Sequence, residues 1–334
     1  MNIRMAGIDH SLAGIDIRSQ FSFSKSRQEE ICRDLCDLPE VLGAVLIATC
    51  NRTEVYLSCE EGSQLHPFAC LCQVSDIPFE DCSGLYKMRC GDEAFRHLCR
   101  LACGAESRIW GEDQIITQVK NAIVASRGVH CADGASEVLF RMAVTAAKRI
   151  KTELRFTKSE VSVAQKTLEL FQAAQNPPHR VLVIGNGEVG RLVAKTLLAH
   201  GFEVTMTLRQ YKYKQIDVPK GADALDYARR YEVLPQFDAL VSATSSPHVT
   251  IQAELLAGLP KLPALYVDLA VPRDIDPSVA KLAGCSLYDI DTLSIDAITE
   301  DHEAVLRQAD AIIEKYLGDF HKWELYRQAA VRKG

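Results

Sequence analysis

Residues 180–190 read RVLVIGNGEVG, and this stretch decides the fold of the second half of the chain. Its first five residues, Arg180–Ile184, form an apolar run that is typical of a buried strand. A glycine-rich turn follows, then a helical pattern over 188–200 and a second apolar strand over 202–207. A G-x-G-x-x-G turn between a strand and a helix, with a second strand at this distance, predicts a dinucleotide-binding βαβ unit.

The chemistry of the turn supports this prediction. Gly185 permits a tight turn, Gly187 lets the backbone approach a pyrophosphate, and Gly190 lets the helix pack closely on the strand. Further apolar strands at 239–243 and 264–269 predict a parallel, doubly wound sheet of Rossmann type. The predicted cofactor-binding residues are Gly185, Asn186, Gly187, Glu188, Val189, Gly190, Arg209 and Thr244, the last from the loop ATSSP over 243–247.

The end of the second strand indicates which dinucleotide binds. Sites for NAD place an acidic residue there to hold the ribose hydroxyls. This chain has Arg209 instead, followed by Lys212 and Lys214, and cations attract a 2′-phosphate. The sequence therefore favours NADP(H), the alternative being that these residues are surface cations on a loop.

The first half of the chain predicts a different unit. Strand patterns at Ile3–Asp9, Val41–Ala48 and Glu54–Cys59, with a helix at 27–38, indicate a small α+β unit of ferredoxin-like type. Helical patterns follow over 93–103, 114–126, 136–154 and 162–175, and Asn176-Pro177-Pro178 then breaks the chain. A long charged helix is predicted from 299 to 331. We therefore expect three segments: 1–158, 159–296 and 297–334.

Composition restricts the partners and the compartment. The net charge of −6 excludes a protein that grips nucleic acid by overall charge, although 141–158 concentrates cations that either contact RNA or form a solvated helix face. The 12 cysteines include no CxxC, and Cys70 and Cys72 form a lone CxC with His66 upstream that lacks the paired spacing of a metal site, so no metal site is predicted. Most of the other cysteines stand in apolar runs, where cysteine behaves as a small hydrophobe. Unpaired thiols, with no signal peptide or membrane span in the pattern, predict a cytoplasmic protein.

The segment ATCNRTE over 48–54 carries the candidate nucleophile. An apolar strand ends there and Cys50 follows, two residues before Arg52. A nearby cation favours the thiolate, which is the reactive form of cysteine. Taken alone, the pattern also fits a buried structural cysteine.

Several segments resemble the glutamyl-tRNA reductase family in the correct order along nearly the whole chain. They are TCNRTE, GIDH at 7–10 with Arg18, RHL at 96–98, GAES at 104–107, GEDQI at 111–115 with QVK at 118–120, Ser162 in its VSV stretch, GNGEVG, ATSSP, and DLAVPRDID at 268–276. The resemblance implies NADPH-dependent reduction of glutamyl-tRNA(Glu) to glutamate-1-semialdehyde through a thioester on Cys50. That reaction is the first step of the five-carbon route to tetrapyrroles.

The resemblance also implies roles for residues. Cys50 and His97 would be catalytic, although His97 could equally be a hydrogen-bonded structural histidine. The predicted substrate-binding residues are Thr49, Asn51, Arg52, Ser107, Glu112, Asp113, Gln114 and Gln118. Glu112 and Gln114 could equally be a helix N-terminal acid and its neighbour.

Family resemblance also bears on partners. It implies a homodimer, but this chain stops at Gly334, where members of the family usually continue into a dimerisation domain, so a C-terminally short form is expected. It further suggests hand-over of product to glutamate-1-semialdehyde aminomutase. Two alternatives remain open: a small-molecule reductase of shikimate-dehydrogenase type, and a non-catalytic tRNA- or partner-binding homologue.

Overall fold

The computed structural model describes residues 2–49, 51–107, 110–154, 163–209, 218–293 and 300–331. Contacts between Cα atoms group the chain into two compact units. The first comprises Met1–Glu160 with Ala297–Gly334, and the second comprises Val161–Asp296. The two boundaries between the three segments predicted from the sequence stay a prediction. The terminal segment that they set apart is grouped with the first unit.

The first unit begins with a four-stranded antiparallel sheet. Its strands are β1 (Ile3–Asp9), β2 (Val41–Ala48), β3 (Arg52–Cys59) and β4 (Lys87–Cys90), in the order β2-β3-β1-β4. Helices α1 (Ile15–Gln20) and α2 (Lys25–Cys36) connect β1 to β2, and α3 (Pro67–Val74) connects β3 to β4. This connectivity and strand order confirm the ferredoxin-like prediction.

Three further helices continue the first unit: α4 (Asp92–Cys103), α5 (Gln114–Gly128) and α6 (Gly134–Glu153). Strand β2 is apolar at nearly every position because both of its faces are covered. Val45 and Ile47 point into the core formed with α4, α5 and α6, whereas Ala44 and Leu46 point into the core formed with α2 and α3. The end of β2 is therefore fixed from both sides.

The second unit is a parallel sheet with helices. Its strands are β5 (Arg180–Ile184), β6 (Glu203–Leu208), β7 (Asp223–Asp226), β8 (Ala239–Ser242), β9 (Leu265–Asp268) and β10 (Ser286–Asp289). Its helices are α7 (Val163–Ala173), α8 (Glu188–Ala199), α9 (Arg230–Val233) and α10 (Ala253–Leu256). The strand order β10-β9-β8-β5-β6-β7 reverses between β5 and β8, which confirms the doubly wound Rossmann-type sheet and places its ligand crevice there.

The last helix, α11 (Glu300–Val331), packs on α4 and α6 of the first unit. Its buried apolar residues recur at helical spacing: Ala309, Ile312, Ile313, Leu317 and Phe320. Arg96 and Arg100 of α4 form ion pairs with Glu314 and Asp310 of α11 at 2.6 and 2.7 Å. The apolar series of this helix is thus covered.

None of the described helices combines the length and apolarity needed to cross a membrane.

Candidate active site

The turn between β2 and β3 is held by hydrogen bonds on either side of residue 50. The Thr49 amide donates to the Arg52 carbonyl at 2.8 Å, and the Thr49 hydroxyl oxygen accepts from the amides of Asn51 and Arg52, both at 3.2 Å. The His10 amide donates to the Asn51 carbonyl at 3.0 Å. Cys50, the predicted nucleophile, lies outside the described residues. Its immediate neighbours are fixed by this network.

A small polar cavity of about 30 Å³ opens beside this turn. Three stretches supply its walls: the β2–β3 turn, the segment after α4 and the start of α5. The lining residues are Thr49, Asn51, Arg52, Ser107, Glu112, Gln114, Ile115 and Gln118. The structure thereby brings together all of the predicted substrate-binding residues except Asp113, although they come from segments more than 50 residues apart in the sequence.

Asp113 is the N-cap residue of helix α5 and does not line the cavity. Its carboxylate accepts a hydrogen bond from Lys151 Nζ at 2.7 Å, and the same ammonium donates to the carbonyl oxygens of Gly111 and Glu112 at 2.9 and 3.1 Å. Lys151 therefore fixes the loop before α5. This geometry relates Asp113 to the shape of the loop, and its predicted contact with substrate stays a prediction.

Close backbone packing holds the two loop segments together. Gly104 ends α4 in the left-handed region at φ +87°, and a Cβ there would lie 2.9 Å from the Glu112 amide nitrogen. Only glycine avoids both the strain and the contact at this position. The segment carrying Ser107 is thus held against the segment that begins α5.

Arg52 lies in the wall of the cavity, is only 3% exposed, and has a carboxylate beside it. Its guanidinium donates to Glu54 Oε1 at 2.8 Å and to the carbonyl oxygen of Glu106. Burial would lower the pKa of Arg52, but the adjoining carboxylate of Glu54 raises it. A guanidinium has five N–H donors, so Arg52 can still bind a carboxylate in the cavity.

Glu54 is the centre of a buried polar network. Besides Arg52, its carboxylate accepts from the Tyr56 hydroxyl at 2.8 Å and lies 3.0 Å from His97 Nε2. Burial would raise the pKa of the Glu54 carboxyl, but His97 and Arg52 hold it well below its usual range. Glu54 is therefore an anion that orients Arg52 from behind.

His97 is 5% exposed and does not border the cavity. It reaches Arg52 through Glu54, and its Nδ1 has no hydrogen-bond partner among the described residues. These contacts suit a positioning residue, and its predicted catalytic role stays a prediction. The Asn51 side-chain oxygen, which also lacks a partner within the described ranges, is a buried acceptor beside the cavity. It suits an ammonium group of a ligand.

The dinucleotide crevice in the second unit measures about 400 Å³. It is lined by Gly185, Asn186, Gly187, Glu188, Val189, Thr207, Arg209, Tyr227, Ala243, Thr244, Ser245 and Ser246. A Cβ on Gly185 would lie 2.5 Å from the Ala243 carbonyl oxygen, and one on Gly190 would lie 2.0 Å from the Gly185 carbonyl oxygen. Gly187, at the N-cap of α8, faces open space. The backbone here fits a pyrophosphate at a helix N-terminus.

A tyrosine that the sequence did not indicate borders this crevice. Tyr227 follows β7 directly, and the guanidinium carbons of Arg209 and Arg230 lie 5.0 and 4.0 Å from its ring centroid. Arg209 is thus held at the place where the sequence predicts a 2′-phosphate. Lys212 and Lys214 lie outside the described residues.

A buried aspartate orients the other wall of the crevice, and it too was missed from the sequence. Asp274 accepts hydrogen bonds from the Ser242 hydroxyl at 2.7 Å and from the Thr244 amide and hydroxyl at 2.8 and 2.6 Å. Burial raises the pKa of Asp274, whereas these donors lower it. Asp274 therefore fixes the loop that carries Thr244. The motif around it was visible in the sequence, but its contact across 30 residues was not.

The other residues that the sequence singled out, the Cys70–Cys72 pair with His66 and the basic stretch 141–158, make contacts within the fold. Cys70 and Cys72 are buried in the core, and His66 contacts Tyr86 at 3.2 Å. Over the ranges that the structure describes, no group of three or more His, Cys, Asp or Glu residues is arranged to hold a metal ion. In the basic stretch 141–158, Arg149 is paired with Glu153 at 2.6 Å.

A polar cavity beside a strand turn, in the same chain as a Rossmann-type crevice, defines a dinucleotide-dependent oxidoreductase. The model of the glutamyl-tRNA(Glu) reductase N-terminal domain matches residues 6–154, and that of shikimate/quinate 5-dehydrogenase matches 162–295. Glutamyl-tRNA reductases of Alkaliphilus oremlandii and Acetivibrio thermocellus are 46% and 45% identical, over 98% and 99% of this chain and equal shares of their own. The chain belongs to the glutamyl-tRNA reductase family.

A solved structure agrees with this assignment. The glutamyl-tRNA reductase from Methanopyrus kandleri is 28% identical, has a TM-score of 0.52, and is matched over 99% of this chain and 82% of its own. The shikimate-dehydrogenase resemblance is thus confined to one domain of a chain that resembles glutamyl-tRNA reductases throughout.

Proposed function

We propose that this protein reduces glutamyl-tRNA(Glu) to glutamate-1-semialdehyde with NADPH, as its family membership implies. The observation that carries the proposal is the cavity, which gathers the polar residues of the TCNRT turn, the GAES segment and the start of α5 around one small space. A cavity of about 30 Å³ is smaller than the usual ligand site, and it suits the tip of a side chain. We assign to it the glutamyl group.

Arg52 is the residue that we assign to the glutamyl side-chain carboxylate. Arg52 is one of the lining residues of the cavity, and its guanidinium donates to Glu54 at 2.8 Å. Binding by two parallel N–H donors would fix the orientation of the glutamyl group. The partnerless Asn51 oxygen suits the α-ammonium group. Both contacts would place the ester carbonyl next to residue 50.

The chemistry that we propose begins with the Cys50 thiolate. It attacks the ester carbonyl carbon, so that a C–S bond forms, the ester C–O bond breaks and the tRNA leaves through its terminal ribose oxygen, which takes up a proton. When bound, NADPH supplies the hydride that converts the thioester carbon to an aldehyde. Cys50 then leaves as a thiolate, which closes the cycle. Arg52 and Asn51 hold the glutamyl group throughout, and this restraint lowers the entropic part of the barrier.

A turnover experiment tests this function. The purified chain, given glutamyl-tRNA(Glu) and NADPH, should release glutamate-1-semialdehyde. The rate of semialdehyde formation should fall at least about a thousandfold in Cys50→Ser, because serine forms an alkoxide far less readily than cysteine forms a thiolate. Product is quantified after derivatisation of the aldehyde. Cys36→Ser, on α2, is the matched control and should keep turnover. Full turnover by Cys50→Ser would contradict the thioester on Cys50, and absence of semialdehyde with the wild-type chain would favour the small-molecule reductase.

Cofactor choice also belongs to the proposal. Arg209 lines the crevice beside Tyr227 and suits the 2′-phosphate of NADPH.

The proposal extends to the compartment and the partners. The catalytic cysteine requires a reduced thiol, so we place the enzyme in the cytoplasm. A reactive aldehyde product suits direct hand-over to glutamate-1-semialdehyde aminomutase. We further propose a homodimer, for which the exposed Leu325 and Tyr326 of α11 supply apolar surface.

A further inference from the structure

A second and larger cavity, of about 560 Å³, lies along the outer edge of β2 in the first unit. We name it the β2 groove. Strand β2 is an outer strand of its sheet, so its outer edge has no strand partner among the residues that the structure describes. Helices α2 and α5 form the two walls, and Leu46–Ala48 of β2 form the floor. Apart from Gln118, the lining residues of the β2 groove belong to none of the sites described above.

The β2 groove adjoins the active-site cavity. Gln118 of α5 lines both spaces, and Ala48, at the end of the groove floor, directly precedes Thr49 of the cavity. A ligand whose end lies in the cavity would therefore extend along the β2 groove. Whatever is covalently attached to the glutamyl group is led into this space.

The length of the β2 groove fits a few nucleotides. Its wall on α5 runs from Gln118 to Gly128, which are 10 residues apart, so it is about 15 Å long at about 1.5 Å per residue. Stacked nucleotides rise by about 3.4 Å per strand, so about four of them span it. A single strand fits better than a duplex, because the walls on both sides are helices of the same unit.

The chemistry of the walls fits a polyanion with flat apolar faces. Lys25 and Arg33 on α2 are exposed cations that border the groove, and neither has an ion-pair partner in the described part of the chain; Glu29 is the opposing acid. Asn121 on α5 supplies amide groups for base edges, and the exposed Val124 offers apolar contact to base faces. Single-strand binding sites combine a positively charged groove with surfaces on which bases stack. The β2 groove supplies the cations, and its base-facing surface is aliphatic rather than aromatic.

We propose that the β2 groove holds the single-stranded 3′-terminal nucleotides of the aminoacylated tRNA while the glutamyl group occupies the cavity. This inference rests on the proposed function and adds to it the place where the RNA end lies. It also explains how a chain of net charge −6 engages RNA: the contact is local, with two cations beside the reacting end.

Binding of deacylated RNA tests the inference with the chemistry switched off. The probes are a fluorescent minihelix that ends in a four-nucleotide single-stranded 3′ overhang, ACCA, and the same minihelix without the overhang. The wild-type chain should bind the first about tenfold more tightly. Lys25→Gln with Arg33→Gln should abolish that preference and reduce the salt dependence by about 1.4 in log–log slope, at about 0.7 per phosphate contact. Lys87→Gln, on the opposite edge strand β4, is the matched control and should keep both.

A second variant probes the groove without changing charge. Asn121→Trp places a bulky side chain at an exposed position of the wall and should remove the overhang preference while thermal unfolding stays as in wild type. The inference is overturned if both groove variants keep the preference, or if they weaken the two minihelices equally. An edge strand that instead accepts a protein strand would give that result. Semialdehyde formation decides the proposed function separately, since these binding measurements need neither NADPH nor a glutamyl group.

Discussion

Glu54 shows how one buried anion prepares a substrate-binding cation. Its carboxylate is shared by Arg52, His97 and Tyr56, and the group is 3% exposed. An arginine buried without this partner would be costly, and one exposed to water would bind a carboxylate weakly. The network therefore gives the cavity a cation that is fixed in place before substrate arrives.

Glu54→Gln tests this network. The variant leaves the guanidinium without a counter-charge, and we expect it to lose about 3–5 kcal/mol in the free energy of unfolding by urea at neutral pH. Folding lowers the pKa of Glu54, so the ionised carboxylate stabilises the folded state fully above the ordinary carboxyl pKa. This stabilisation is lost progressively as pH falls from the ordinary pKa towards the lower pKa of the folded state. The difference from wild type should thus shrink by about 1 kcal/mol at about pH 3.5.

The control for this variant is Glu137→Gln, which breaks the exposed Arg127–Glu137 pair. It should cost less than about 1 kcal/mol, because water screens that pair. Equal losses for the two variants would mean that the Glu54 network does not stabilise the fold.

Arg209→Asp is the residue-scale test of the cofactor site. A carboxylate there would repel the 2′-phosphate and could accept hydrogen bonds from the ribose hydroxyls of NADH. We expect the Kd for NADPH, measured by fluorescence titration, to rise at least about a hundredfold and that for NADH to change less than about threefold. Lys195→Asp, at an exposed position two turns into α8 and not among the lining residues of the crevice, serves as the control. Equal weakening of both cofactors would remove Arg209 from the site.

Site residues were predictable where they stand within one motif. The TCNRT turn and the glycine-rich turn each place their residues by local chain geometry, so that Arg52 and Gly187 could be identified from the sequence. The Glu54–His97 contact joins residues 43 positions apart, and nothing in the pattern of either segment indicates the other. Tyr227 was missed for a related reason, since it follows a short strand, β7, in which two of the four residues are aspartates.

At the scale of elements, burial decides which strands the sequence reveals. The bounds of β1, β2 and β5 agree with the predicted ones, because these strands are covered on both faces and read as apolar runs. Strand β4, with the sequence KMRC, was not predicted. It is an edge strand whose side chains are mostly exposed, so it lacks an apolar period.

Two glycines of the same turn have different roles: Gly190 is needed for packing of α8, and Gly187 is needed for cofactor binding. Gly190→Ala would place a Cβ 2.0 Å from the Gly185 carbonyl oxygen, so we expect α8 to be displaced and thermal unfolding of the chain to occur at lower temperature. Gly187→Ala meets nothing within 4 Å and should keep wild-type stability while NADPH affinity falls, because its methyl group occupies the path of the pyrophosphate. Calorimetry and cofactor titration check the pair. Loss of stability in both variants would contradict this division.

The chain as a whole combines two units with separate tasks. The first holds the cavity, the β2 groove and the terminal helix α11, and the second holds the dinucleotide crevice. Helix α11 completes the first unit mainly by its buried apolar residues, since its ion pairs to α4 are partly exposed and contribute little. The sequence predicted this helix, but the surface that covers its apolar residues depends on contacts about 200 residues away in the chain.

The central claim is that glutamate is held covalently on Cys50 before it is reduced. The chain is incubated with tRNA charged with labelled glutamate, without NADPH, then quenched in acid, digested and analysed by mass spectrometry. We expect the label on the peptide that contains Cys50, its release by neutral hydroxylamine, and its disappearance when NADPH is added before quenching. Label on another residue, or active enzyme that carries no label in either condition, would contradict the account.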